Sequence, residues 1–194
     1  MNFKGAKQYI ITRLIHEIPE KLYYHGMHHT LDVFNAAERL GKMERVSADE
    51  LMLLNTAALF HDAGFLERYE ENESIAVRIV NEQLPRFGYS PGQILIIANM
   101  IKATNIKNSP QTHLEKILCD ADLDYLGRDD FHVHALALKK ELNAHGMAYD
   151  NRQWDEMQVK FFEKHTYHTA SAIKLREAVK QKHLQEINKR LKAV

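Results

Sequence analysis

Three short clusters in this chain carry side chains able to bind a divalent cation. They are the histidine-rich stretch Tyr24-His25-Gly26-Met27-His28-His29, the adjacent pair His61-Asp62, and the aspartates of Asp120-Ala121-Asp122-Leu123-Asp124. The His-Asp pair joined by one more imidazole and one more carboxylate makes a mixed nitrogen and oxygen ligand set, which on a six-coordinate ion leaves two positions for water. Water bound there has its pKa pulled toward neutrality and becomes a nucleophile, so the chemistry open to such a set is hydrolysis. Mn²⁺, Fe²⁺, Ni²⁺, Co²⁺ or Mg²⁺ suits it better than a closed structural zinc site does. A His-Asp dipeptide alone is more simply a hydrogen-bonded packing pair; the joint occurrence of the three clusters is what points to a metal.

The elements that must carry these residues read as helices throughout. Apolar residues at Ile10, Ile11, Leu14 and Ile15 predict a first helix over about 4–17, stopping before Pro19, and a second is expected from Met27 to Leu40, ended by Gly41. Ser47-Ala48-Asp49-Glu50 reads as a capping box that opens a helix apolar almost all round from Leu51 to Phe60, delivering His61 and Asp62 from the core, with Gly64 ending the element. Ala76, Ile79, Val80 and Leu84 form a further stripe, and Ser90-Pro91 caps another ahead of Ile94, Ile97 and Ile101. The aspartates fall on a segment from His113 to Leu126; Phe131, Ala135, Leu138 and Leu142 mark the next helix, and a final helical region runs from Gln153 to the end, bent near 165–169. With no alternating β-branched runs, the expected fold is all-α, a single-domain helical bundle over 1–194.

Composition narrows the partners. Lys and Arg number 26, as do Asp and Glu, so there is no net field to attract nucleic acid or an anionic membrane. No run approaches 18 apolar residues, the amino terminus lacks an apolar leader region, and Cys119 stands alone without a disulfide partner, from which a cytoplasmic protein is expected. No Gly-rich phosphate loop and no Ser-His-Asp nucleophile arrangement is visible.

The Tyr-His-x-x-x-His element at 24–29, the His-Asp pair at 61–62 and the Ala-Asp-Leu at 121–123 together resemble the HD-domain superfamily of metal-dependent phosphohydrolases, over roughly 23–128. The resemblance implies a helical bundle that gathers His29, His61, Asp62 and Asp122 around one divalent ion, and it puts His25 in the place of a catalytic proton donor. Asp62 is then both ligand and catalytic group. Helix geometry agrees with choosing one aspartate: residues two apart lie about 200° apart round a helix, so Asp120 and Asp124 share a face that Asp122 does not. Those two are expected to cap, support or face solvent. An EF-hand starting at Asp120 fails, since its sixth position is Tyr125 and its twelfth Phe131.

Binuclear relatives supply extra histidines between the His-Asp pair and the last Asp, but 66–112 contains none, so a mononuclear site is expected. The His-Asp-x-x-Glu of the 5′-nucleotidase branch is here His61-Asp62-Ala63-Gly64-Phe65, without its glutamate. The substrate implied is a small phosphomonoester or phosphodiester, of a nucleotide, with Lys102 and Arg128 as candidate phosphate-binding cations. The alternative is a binding module that senses a nucleotide or metal on the same fold without turnover. His165 and His168, three apart, are read as packing or capping residues, and His132 and His134 point to different helix faces. The basic carboxyl-terminal stretch 174–192 reads as an amphipathic helix or a homodimer contact.

Overall fold

A computed structural model describes residues 1–193 of the chain. Its α-helices are α1 (Phe3–Glu17), α2 (Met27–Met43), α3 (Ala48–Phe60), α4 (Asn72–Gln83), α5 (Pro91–Thr104), α6 (His113–Asp122), α7 (Phe131–Ala144), α8 (Asn151–Lys164) and α9 (Ala170–Ala193). Short 3₁₀ turns at Ala63–Leu66, Leu84–Phe87 and Asp124–Gly127 follow α3, α4 and α6, and no strand occurs among the described residues. The fold is all-α.

The capping boxes expected at Ser47 and Ser90 are present, each side chain accepting from the backbone N–H three residues on, and Thr112 with Glu115 and Asp150 with Gln153 add two more at α6 and α8. Two expected boundaries move. Helix α2 runs through Gly41 to Met43 because the left-handed turn that stops it is taken by Arg45, at φ 58°. Gly41 instead lets α2 lie close on α3: a Cβ there would sit 2.8 Å from Leu51 Cδ1. The carboxyl-terminal region is two helices and not one bent helix. The break is fixed from outside, where Asp120 on α6 accepts from the N–H groups of His168 and Thr169, at 2.8 Å each, and from the Thr169 hydroxyl at 2.7 Å.

Buried apolar side chains form two clusters. The larger, with Ile10 and Leu14 of α1, Val33 and Leu40 of α2, Leu54 and Phe60 of α3, Ile79 of α4, Ile97 and Met100 of α5 and Leu118 of α6, surrounds α3. This is why α3 is apolar on every face: Leu53 to Phe60 are all buried. The second joins Tyr24, Tyr125, Phe131, Trp154, Phe162 and Ile187 across α7, α8 and α9. Burying apolar surface contributes about 25 cal/mol per Å², so each cluster holds its helices firmly. His29 lies where they meet, its α2 neighbours in the first cluster and its ring 4.5 Å from that of Tyr24 in the second.

Candidate metal centre

Each ligand candidate comes from a helix end or first turn. His29 is in the first turn of α2, His61 is the C-cap of α3, Asp62 opens the following 3₁₀ turn, and Asp122 is the last residue of α6. Their functional atoms converge. His29 Nε2 lies 3.1 Å from Asp122 Oδ1, 3.4 Å from Asp62 Oδ2 and 3.3 Å from His61 Nε2, while His61 Nε2 lies 3.2 Å from Asp62 Oδ2 and 3.5 Å from Asp122 Oδ1. His29, His61 and Asp62 are buried, and Asp122 keeps a fifth of its side chain exposed.

The environment of each ligand supports the fit of a cation. His61 Nδ1 donates to the Ala58 carbonyl at 2.9 Å, which fixes the tautomer and leaves the Nε2 lone pair facing the other three. Asp62 Oδ1 accepts from Asn72 Nδ2 at 2.9 Å, but Asp62 Oδ2, aimed at the cluster, is buried with no hydrogen-bond partner among the described residues. Such an orphaned carboxylate oxygen is costly unless a positive charge stands near it. In the bare protein that charge falls on an imidazole: burial opposes it, yet Asp62 and Asp122 raise the pKa of His61 well above the ordinary histidine range. Burial likewise raises both carboxyls, but the two histidines hold them below the ordinary carboxylate range. A divalent ion would supply the positive charge and return the His61 imidazole to its neutral, ligating form.

Asn72 reaches Asp62 because of Gly64. The first turn of α4 passes so close to the 3₁₀ turn that a Cβ on Gly64 would lie 2.0 Å from the Asn72 carbonyl oxygen. Gly64 is thus not the terminator of α3, which ends at Phe60. Gly64→Ala is expected to push Asn72 off Asp62 and weaken metal binding by about 10–100-fold, the scale for loss of a ligand's supporting hydrogen bond. Isothermal titration with Mn²⁺ measures it; unchanged affinity would mean Asn72 has no supporting role.

The neighbouring aspartates go elsewhere. Asp120 caps α9 as described, and Asp124 accepts from Arg176 Nε at 2.8 Å and lies 2.9 Å from Arg39 Nη2. Both are buried, so neither is a surface group. Helix α6 ends at Asp122, and the turn after it still sends Asp124 toward α9 while Asp122 faces α2 and α3.

His25 sits beside the cluster, its ring centroid 5.7 Å from that of His29 and stacked on Phe65 at 4.4 Å. Its partner, Glu141 of α7, is fully buried and hydrogen-bonds His25 Nδ1 through Oε1, while Oε2 accepts from the N–H groups of Tyr24 at 2.8 Å and His25 at 3.0 Å. Burial disfavours the imidazolium, but Glu141 and the carboxylates of Asp62 and Asp122 outweigh it, and the His25 pKa is raised. Glu141 and Asn72 escape sequence reasoning because nothing local marks them: one is 116 residues from His25, the other ten beyond Asp62.

Neither expected phosphate-binding cation contacts the four candidate ligands among the described residues. Arg128 is engaged by Asp130, with Nε to Oδ1 at 2.8 Å, and by Asp32 at 3.1 Å, and Lys102 is exposed with no hydrogen bond or ion pair from its ammonium among the described residues. Arg128 follows the ligand helix closely in sequence, and its guanidinium is paired with the acids at 32 and 130. A cavity of about 420 Å³ does open against Asp122, lined by Thr104, Lys107, Lys164, His165 and His168 among others. Lys102 does not line it, because the α5 side chains turned toward it are Ala103 and Thr104. No helix of the described residues is long and apolar enough to cross a membrane.

The fold and the converging His, His-Asp and Asp place the molecule in a known class: a family model for the HD domain matches residues 26–124, and the chain belongs to that family. The match spans all four ligand candidates and stops one residue short of His25. HD-domain proteins are in general metal-dependent hydrolases. Two solved structures share the fold: Bacillus subtilis YpgQ in complex with ADP, at TM-score 0.70, and a second crystal structure of Bacillus subtilis YpgQ, at 0.69. Each is 21% identical over 100% of this chain, covering 97% and 98% of the YpgQ chain respectively. No curated protein matches the chain significantly.

Proposed function

We propose that this protein is a mononuclear metal-dependent phosphohydrolase acting on a phosphate ester of a nucleotide, with His29, His61, Asp62 and Asp122 holding one divalent cation. The observation that carries the reading is the convergence of four functional atoms, one of them a buried carboxylate oxygen with no other partner. The chemistry such a cation would supply, held by these four residues, is acidification of water and neutralisation of phosphoryl charge. The chain's own residues do the rest. Asn72 and the Ala58 carbonyl orient Asp62 and His61. The 420 Å³ cavity falls in the usual range for a small-molecule site, and Lys107 and Lys164 on its wall provide the positive charge toward a phosphate that Lys102 and Arg128 were expected to give.

His25 is the proton donor in this reading, kept protonated toward neutral pH by Glu141. It does not line the cavity, so donor and cavity meet only across the ligand cluster. A nucleotide as substrate is supported by the ADP complex of YpgQ, a protein of the same fold. One domain is supported by α9, which is tied to α6 through Asp120 and to the turn after α6 through Asp124.

Chelation and dialysis followed by return of Mn²⁺, Mg²⁺, Ni²⁺ or Co²⁺, with a panel of nucleoside mono-, di- and triphosphates and generic phosphodiesters, tests the proposal. Multiple turnovers restored by one of these metals are expected. The engagement of Arg128 by Asp32 and Asp130 favours a second reading, a binding module without turnover. Tight metal-dependent nucleotide binding with no product under every metal would select it.

A further inference from the structure

A second cluster of metal-ligating side chains lies apart from the HD centre and shares no residue with it. His132 stands on α7, His183 and Glu186 are three apart on one face of α9, and one ligand atom from each lies within 4.8 Å of the others. His183 is buried, and its Nδ1 donates to the Leu126 carbonyl at 3.0 Å. Phe131 stacks on the same ring at 4.7 Å and 20°. The ring is therefore held in one orientation and one tautomer, with the Nε2 lone pair free of any hydrogen bond among the described residues. His132 Nε2 lies 3.3 Å from Glu186 Oε2, and the His132 ring meets the His183 ring edge-on at 5.4 Å.

We propose that His132, His183 and Glu186 form a second metal site that takes Zn²⁺ and clips α7 to α9. Two imidazoles and one carboxylate are a common three-ligand zinc set with water in the fourth position. Zn–N and Zn–O bonds of about 2.0–2.1 Å in a tetrahedron place ligand atoms roughly 3.3 Å apart, which the His132–Glu186 pair already meets. The remaining closure falls on those two side chains, about half exposed and free to turn, against a fixed His183. An exposed His–Glu ion pair by itself contributes little. The buried His183 ring, immobilised beside that pair with one nitrogen bonded and the other unpaired among the described residues, completes a three-ligand set that the pair alone does not make.

Equilibrium dialysis of the full chain against Zn²⁺, with zinc and protein then quantified, reads the site directly. His132→Ala and Glu186→Gln alter exposed side chains and are expected to keep the fold. Each should bind one zinc fewer per chain than wild type, with affinity at the second site down by more than the roughly 100-fold that loss of a supporting partner can cost. Asp62→Ala should leave this site intact. Added Zn²⁺ should raise the melting temperature of wild type more than that of either variant. The same zinc content and the same zinc-dependent melting shift in wild type, His132→Ala and Glu186→Gln would overturn the assignment. Because zinc content is read without turnover, that failure is distinct from failure of the phosphohydrolase reading.

Discussion

Asp122→Ala is expected to cut phosphate-ester hydrolysis by about 10³-fold or more and to release the bound metal. The carboxylate closes the ligand cluster from the side of α6, its Oδ1 within 3.1 Å and 3.5 Å of the two imidazoles. A metal that stabilises transition-state charge by several kcal/mol loses about tenfold in rate for each 1.4 kcal/mol forfeited. The matched control lies two residues away. Asp120 has the same side chain on the same helix, yet it binds the start of α9. Asp120→Asn should retain metal and turnover while losing about 2 kcal/mol of stability, the scale for hydrogen bonds to a buried charge, or roughly 4–8 °C in melting temperature for a chain of this length. Metal content and thermal unfolding of both variants separate the roles. Equal metal loss in the two would show that Asp122 acts through the fold and not as a ligand.

Glu141→Gln carries the second large effect. This fully buried carboxylate takes three hydrogen bonds from the segment that opens α2, two from backbone N–H groups and one from the His25 ring. Breaking a buried charged pair from one side costs about 3 kcal/mol or more. The pH dependence follows from the two shifts. The His25 pKa is raised above its ordinary 6.5, so its contribution to stability is complete below 6.5 and is lost as pH rises through the raised value. The Glu141 pKa is lowered below its ordinary 4.5, burial raising it and the His25 bond outweighing that, so its contribution is complete above 4.5 and is lost as pH falls through the lowered value. The pair stabilises the fold most between those two ordinary values, and Glu141→Gln should flatten that maximum.

Glu141 touches no substrate in this account; it positions and charges His25. A general acid must be protonated, so kcat should fall on the alkaline side of the His25 pKa. Removing the Glu141 charge should move that alkaline limb to lower pH. A role confined to structure would lower the melting temperature and leave the limb in place.

Much of this site was legible in the sequence because its candidate ligands sit at helix boundaries that the sequence marks. The Ser47 capping box and the unbroken apolar stretch to Phe60 put His61 and Asp62 at the end of the most deeply buried helix. The 200° step round a helix separated Asp122 from its neighbours, although α6 ends at Asp122 and the separation is completed by the 3₁₀ turn. What the sequence could not show were contacts made at a distance. Asp120 ends the run from α8 to α9 from another helix, and Arg45 in place of Gly41 stops α2. Arg128 is paired with Asp32, 96 residues distant. Glu141 and Asn72 hydrogen-bond His25 and Asp62 through side chains that no spacing rule connects to them.

Anomalous diffraction from a crystal of the wild-type protein grown with Mn²⁺ tests the central claim most directly. One manganese peak is expected, bonded by His29 Nε2, His61 Nε2 and an oxygen from each of Asp62 and Asp122, with Asn72 still on the other oxygen of Asp62. An ordered cluster with no peak in saturating Mn²⁺, its buried Asp62 oxygen met by a protein group or a water instead, would contradict it.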